Sequence, residues 1–442
     1  MSRVSNVGAK ASESHSDNSE RRRSKSLWRD RNFMLLWAGQ SISDIGSAVT
    51  QLALPMVAVL VLNASTLEVG LLSAMTTLPN LLVSLHAGSL VDQLPKRKMM
   101  LLCDIGRFVL LASIPITTIP GLGLRLTYPH LMVVALLTGV LTVFFMIAYQ
   151  SYLPILLNRD ELLDGNGKLG ATQSFAQSAG PAIAGALVGL VGVIRSIVID
   201  VASFAVSAVS LFLIREQEPP IEPRPAGHKM RHDILEGLRF VVKHPVLRKV
   251  VACTGTSNFF SSLGFAVEMV FLLRILNVAP ALVGLIFSVS AVGGIVGGAL
   301  AGRMSKRVGS ARIIWFSILV LGLPSLLMPL AQPGFGVLLY VVGLFFFMTM
   351  AVMYNVAQVT YRQVITPPAL LGRMNASVRF IVAGTSPLGA ALGGVLGTAI
   401  GVRPTLWIAF VGAWLAGLWV FFSPLRKMRD FDDTRDNAEQ SA

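Results

Sequence analysis

Apolar residues gather in twelve long blocks separated by short polar stretches. The blocks lie near 33–61, 67–91, 99–119, 131–157, 169–191, 194–214, 249–275, 281–302, 311–331, 335–364, 374–399 and 404–424. Each is long enough to cross about 30 Å of hydrocarbon as a helix, which takes roughly 17 to 25 residues. None shows the strict apolar/polar alternation of a membrane β-strand. Helices are therefore predicted, because a helix satisfies its own backbone inside lipid. Six blocks precede a polar connector, 215–248, and six follow it.

The two sets of six read as copies. Gly88, Leu90, Lys96 and Arg97 return 210 positions later as Gly298, Leu300, Lys306 and Arg307, each time closing one apolar block and preceding another. Parallel duplication of an apolar helical bundle is a recurring plan of secondary carriers, whose halves rock about a site held between them. The chain divides accordingly into a basic N-terminal segment (1–31), a six-helix bundle (32–214), the connector (215–248), a second bundle (249–425) and a tail (426–442). In the connector, four prolines precede a partly helical apolar pattern, Ile234 to Val242, interleaved with Arg231, Arg239 and Lys243. That pattern suits an interfacial helix tethering the halves.

Composition agrees with a membrane protein. Apolar residues make up 53% of the 442 and charged residues 14%, against roughly 25% charged in soluble domains. The net charge of +14 would suit nucleic acid, but its placement argues against that. With the N-terminus in the cytoplasm, 32 of the 37 Lys and Arg lie on inner segments, which sets both termini inside. Residues 1–31 lack an apolar core of signal-peptide type, so the first span is expected to act as an uncleaved signal. Cys103 and Cys253 fall within spans, which disfavours a disulfide and a cysteine metal site. Asn63-Ala64-Ser65 matches a glycosylation sequon, pressed against the membrane on an outer turn.

The stretch Gly88-Ser89-Leu90-Val91-Asp92-Gln93-Leu94-Pro95-Lys96-Arg97 resembles the G-x-L-x-D-x-x-x-R-R/K signature between the second and third helices of the major facilitator superfamily. That resemblance implies an all-α membrane protein of twelve transmembrane helices in two pseudo-twofold-related six-helix bundles. It also implies an inner gate in which Asp92 meets the start of span eleven near Asn375, with Gly88, Lys96, Arg97, Asp104 and Arg107 in the same cluster. In the second copy Gly302 stands where Asp92 stands in the first, so the two gates are expected to differ in strength. Gly180-Pro181 with Gly185 resembles the G-P-x-x-x-G element of the superfamily's antiporters. Phe33 through Val59, Ala148 through Pro154 and Leu371 through Ala376 are similar to the bacterial drug-efflux branch that includes macrolide-efflux proteins and the enterobactin exporter. Where those relatives carry an acidic residue just before the Ala148-Tyr149 pair, this chain has Met146-Ile147.

Ionisable groups at depth are the remaining candidates, since a charge near the bilayer centre costs at least about 2.5 to 3.5 kcal/mol. Asp44 and Glu268, in the first helix of each half, are candidates for proton coupling or substrate contact. Asp200 reads as a structural hydrogen-bonding group that could also serve there. Gln40, Gln51, Tyr149, Asn258, Asn355 and Gln358 are weaker candidates for polar contacts, and Phe259, Phe260, Phe265 and Met353 for apolar ones. The sequence holds no catalytic constellation, no phosphate loop and no soluble nucleotide domain, so neither an enzyme nor an ATP-driven pump is expected, nor a cofactor. The expected protein is a monomeric, proton-driven exporter of amphiphilic small molecules, a drug or a siderophore-like metabolite. The readings it competes with are an importer or symporter of the same fold and a non-transporting receptor or scaffold.

Overall fold

The computed structural model describes residues 27–83, 90–91, 93–158, 160–215, 218 and 238–430, which are mostly helical with no strand among them. The first half holds α1 (Arg31–Met56), α2 (Thr66–Leu82), α3 (Lys96–Ile116), α4 (Tyr128–Leu156), α5 (Leu162–Val191) and α6 (Val193–Leu213). The second half holds α7 (Leu247–Val270), α8 (Pro280–Val308), α9 (Ile313–Phe316), α10 (Val337–Ile365), α11 (Pro368–Ala399) and α12 (Val402–Leu415), with a last turn, α13 (Leu418–Phe421). Among the described residues, eleven helical segments are long and apolar enough to cross a membrane. The remaining crossing is α2, described as far as Leu82. Gly88, Asp92 and most of the connector lie outside the described residues.

Local chemistry explains several boundaries. Asp30 caps α1 by accepting from the Phe33 amide at 2.7 Å, and Ser65 and Glu68 form a capping box at the start of α2. The ninth block, expected as one regular helix over 311–331, is instead a relay of α9, a π turn at Ser317–Leu321 and a 3-10 stretch at Leu323–Leu330. Pro324 and Pro329 carry no amide hydrogen, which denies that stretch the bonds of a continuous α-helix.

The duplication extends to backbone detail. α1 ends in a π turn, Val57–Val61, and α7 in another, Phe271–Ile275. Asn63 and Asn277 follow in the left-handed region, with φ of 50° and 51°, a conformation asparagine tolerates better than most residues. Ala64 then donates to the Ala58 carbonyl at 2.8 Å, and Val278 to that of Leu272 at 2.9 Å. Gly192 and Gly401 hold the tight α5–α6 and α11–α12 turns with φ of 88° and 91°, open in practice only to glycine.

Within the halves, α1 packs on α5 and α6 as α7 packs on α11 and α12. Between the halves the main contacts are α2 with α11 and α5 with α8, the exchange a pseudo-twofold axis requires. Glycines allow these helices to touch, most closely near the α1–α2 and α7–α8 turns. A Cβ on Gly185 would lie 2.7 Å from the Gly284 Cα, and one on Gly394 3.0 Å from the Gly70 Cα. At the same end Arg274 donates to the Val59 carbonyl at 3.0 Å, joining the last turns of α7 and α1.

Candidate substrate cavity

Helices α1, α2, α5, α7 and α8 enclose a cavity of about 420 Å³ between the halves, within the usual range for sites that take drug-sized molecules. Its polar wall comes from helical spacing. On α1, Asp44, Ser47 and Gln51 recur at intervals of three and four and so share one face; on α5, Gln173, Gln177 and Pro181 share one face by recurring every four residues. The facing wall is apolar, with Phe265 and Met269 on α7 and Phe287 on α8. Phe265 is held edge-on against Phe347 and Phe410, at ring distances of 5.4 and 6.3 Å.

One carboxyl reaches the cavity from each half. Asp44, half-buried, accepts from Gln40 Nε2 at 2.6 Å. Glu268, buried, accepts a hydrogen bond from the hydroxyl of Tyr340, itself buried on α10. The bond satisfies both polar groups in an apolar surrounding.

Behind Asp44 lies a second polar group, inside the first bundle. Arg107 pairs with Asp104 one turn away on α3. Its guanidinium lies between the rings of Phe145 and Phe204, 4.3 Å from each centroid, a geometry that stabilises a cation in an apolar interior. Asp200 on α6 is buried and accepts from the Ser203 hydroxyl at 3.0 Å. Gly46 lets α1 approach this point, since a Cβ there would lie 2.7 Å from Asp200 Oδ1.

The structure thus brings Asp44, Glu268, Gln51 and Pro181 to one cavity. Asp200 stands outside it, among the α1–α6 contacts. Gly180 packs on Ala48 and Gly185 on Gly284. Gln40 reaches the cavity only through Asp44, and Tyr149 stands within electrostatic range of the same acid, its ring stacked on Phe145 at 6.3 Å. The amides of the second half bond locally: Asn258 donates to the Thr254 carbonyl at 2.8 Å, and Gln358 to Asn355 at 2.9 Å. Met353 is buried core, and Phe260 packs on Gly412 beside Phe259.

Of the expected gate cluster, Lys96 and Arg97 open α3, while Asp104 and Arg107 sit two to three turns deeper, paired with one another. Arg97 donates to the carbonyls of Leu211 and Phe212 at 2.7 and 2.6 Å, closing the C-terminal end of α6. Sequence reasoning missed Ser47, Ser73, Gln173, Gln177, Met269 and Phe287. The i, i+4, i+8 run Gln173, Gln177, Pro181, continuing to Gly185, was the available signal for α5.

The chain matches the transmembrane secretion effector family over residues 25–441. It is 27% identical to the multidrug efflux pump Tap of Mycolicibacterium fortuitum, covering 88% of this chain and 94% of that one. It is 22% identical to macrolide efflux protein A of Streptococcus pyogenes, covering 90% and 97%. Among solved structures, a bacterial homologue of the iron transporter ferroportin in an inward-facing state superimposes with a TM-score of 0.72 at 14% identity, over 90% of this chain and 99% of that one. An inward-facing bacterial homologue of the lysosomal transporter Spinster gives 0.66 at 15% identity, over 90% and 97%. These two likenesses concern the fold alone. The chain is a multi-pass membrane transporter of the transmembrane secretion effector family, in the drug-efflux branch of the major facilitator superfamily.

Proposed function

We propose that this transporter exports amphiphilic small molecules from the bacterial cytoplasm by alternating access, with inward proton flow as the driving force. The observation that carries the reading is the cavity itself, which both halves line and to which each contributes one carboxyl, Asp44 and Glu268. With the connector and termini placed in the cytoplasm by the Lys/Arg distribution, the close glycine approaches at α2–α11 and α5–α8 lie on the outer side. The conformation is then closed outward, ready to load from within. Smooth glycine faces leave few side chains to interlock, so the halves can separate there once the inner side closes. The inner gate is assigned to the Gly88–Arg97 segment, with Asp92 as its latch.

Each proton moving down 100 mV supplies roughly 2.3 kcal/mol, enough for about a fiftyfold gradient of a neutral substrate. A carboxyl that meets the cavity in both states can carry that proton and release it inside. The efflux relatives support the outward direction.

Everted vesicles containing the purified chain test the reading. Energised vesicles should accumulate an amphiphilic dye, and a protonophore should abolish the accumulation. Uptake that survives the protonophore removes proton coupling. Uptake only into right-side-out vesicles means import, and no uptake by folded protein favours a receptor or scaffold.

A further inference from the structure

We infer that the second bundle holds the headgroup of an anionic phospholipid in the crevice between α9 and α13, gripped by Arg312 and Arg426 against Trp315 and Phe421. Arg312 immediately precedes α9 and shares a helix face with Trp315, three residues on. Each keeps a buried nitrogen, Arg312 Nε and Trp315 Nε1, that has no hydrogen-bond partner among the described residues. Buried donors are normally met, so both point to an acceptor from outside the chain. The two side chains are half-buried as wholes, and each keeps an edge within reach of the bilayer. Phe421 packs edge-on against Trp315 at 5.3 Å between centroids, and the Arg426 guanidinium lies 4.4 Å from the centroid of the same Phe421 ring. One continuous line of contact thus runs from the start of α9 to the turn beyond α13.

Charge is unbalanced in this half. From 238 to 430 the chain carries sixteen Lys and Arg but two acids, Glu268 in the cavity wall and Asp430. Asp430 lies within electrostatic range of Arg312, but it is already bonded to the Ser310 amide and hydroxyl and lies 3.8 Å from Arg429. The first half fills the same position with protein: beside Glu218, Arg97 bonds the Leu211 and Phe212 carbonyls at the end of α6. Ala311 stands in the matching place beside Asp430 and has no side chain to bridge with. Lys249 lies over the Trp419 ring on α13 at 4.8 Å, and Trp419 and Phe422 are 44% and 69% exposed, as suits aromatics at a membrane–water boundary. A basic crevice at that level fits a lipid phosphate. The guanidiniums grip the phosphodiester, the indole N–H donates to it or to an ester carbonyl, and the acyl chains continue along the exposed rings. The choline of a zwitterionic lipid would meet the same bases unfavourably.

Brominated acyl chains quench tryptophan on contact and so report the site. The purified full-length protein in neutral detergent is titrated with brominated phosphatidylglycerol and, separately, with brominated phosphatidylcholine. Phosphatidylglycerol should quench saturably at a mole fraction at least about tenfold lower, since each base near an anionic headgroup is worth about fivefold. Trp315→Phe should remove the component that shows the preference. Arg312→Gln with Arg426→Gln should abolish the preference, and Arg312→Lys with Arg426→Lys should keep it. If the glutamine pair unfolds, Arg312→Gln alone should weaken phosphatidylglycerol binding by about fivefold. Arg303→Gln with Lys306→Gln, which neutralises two exposed bases at the end of α8, should leave the preference unchanged. Equal quenching by both lipids, an equal loss in the Arg303→Gln, Lys306→Gln control, or displacement of the lipid by millimolar inorganic phosphate overturns the inference. Neither Arg312 nor Arg426 lines the cavity, so the exporter reading stands or falls separately, on the vesicle assay.

Discussion

Glu218 and Asp430 close the same kind of loop in the two halves of the molecule. Each lies beyond the last membrane helix of its half and returns to the turn before the third. Glu218 accepts from the amides of Lys96 and Arg97 at 2.7 Å each, the first two residues of α3. Asp430 accepts from the amide and hydroxyl of Ser310 at 2.9 and 3.1 Å, just before α9, while the Arg429 carbonyl accepts from Ala311 at 3.0 Å. A carboxylate at a helix start answers both unsatisfied amides and the helix dipole. Glu218→Gln should therefore lower stability by about 1 kcal/mol, read as a shift in the denaturation midpoint in detergent, while Glu218→Asp should leave the second amide unpaired and fall between.

The tail clasp carries its own pH signature. Hydrogen bonds from the Ser310 backbone hold the Asp430 carboxyl below its ordinary value of 3.8. A depressed carboxyl contributes stability that is present above the unfolded value and lost as pH falls through the folded one. Exchange protection of the Ser310 and Ala311 amides should thus stay flat from pH 8 to about 5 and fall only in stronger acid. In Asp430→Ala it should be weak at every pH.

Much of the architecture was legible because apolar block length and the 210-residue repeat are properties of the chain alone. The end-capping devices were not, since Glu218 and Lys96 meet only after the four helices α3 to α6 have packed between them. The cavity divides along the same line. Asp44 and Glu268 stand out as acids in apolar blocks, but Gln173 and Gln177 look like ordinary polar positions until α5 is set against α8. Asn63 shows what the sequence alone leaves out. Its sequon is visible in sequence, yet its twin Asn277 has no such motif, and what the two share is a left-handed backbone. The Ser65 hydroxyl of that sequon is occupied in the capping box with Glu68.

His244, just before α7, gives a second pH test. Its Nδ1 accepts from the Leu247 amide at 3.1 Å, which requires a neutral ring, and burial lowers its pKa from the ordinary 6.5. For a lowered histidine, stability is full above 6.5 and declines as pH falls towards the folded value, because the unfolded chain takes up the proton first. The melting temperature should drop between pH 7 and 5, and His244→Asn, which keeps an acceptor without a titrating ring, should flatten that part of the profile.

Gly284 tests the seal between α5 and α8. A side chain there would overlap the Pro181 carbonyl and press on Gly185, and both neighbours are backbone that cannot swing aside. Gly284→Val should hold the halves apart at this end and favour the opposite conformation. A cysteine at Val61 should then react faster with a membrane-impermeant maleimide added from outside, while export falls. Unchanged labelling alongside normal export would mean that the contact is not part of the moving seal.

Arg107 and Asp104 separate a structural role from a gating one. Removing only the arginine leaves Asp104 buried without its partner, and breaking such a pair costs about 3–5 kcal/mol. Arg107→Met should therefore lose that much stability, and Arg107→Lys should also lose ground, because an ammonium lacks the flat face that fits between Phe145 and Phe204. Replacing both residues, Arg107→Met with Asp104→Leu, removes the unpaired charge and should recover most of the loss, as apolar substitutes for buried pairs commonly do. That double variant decides what the pair is for. If it folds and exports, Arg107 and Asp104 serve the packing of the first bundle. If it folds and binds dye yet fails to export, the pair belongs to the switching cluster that begins at Lys96 and Arg97.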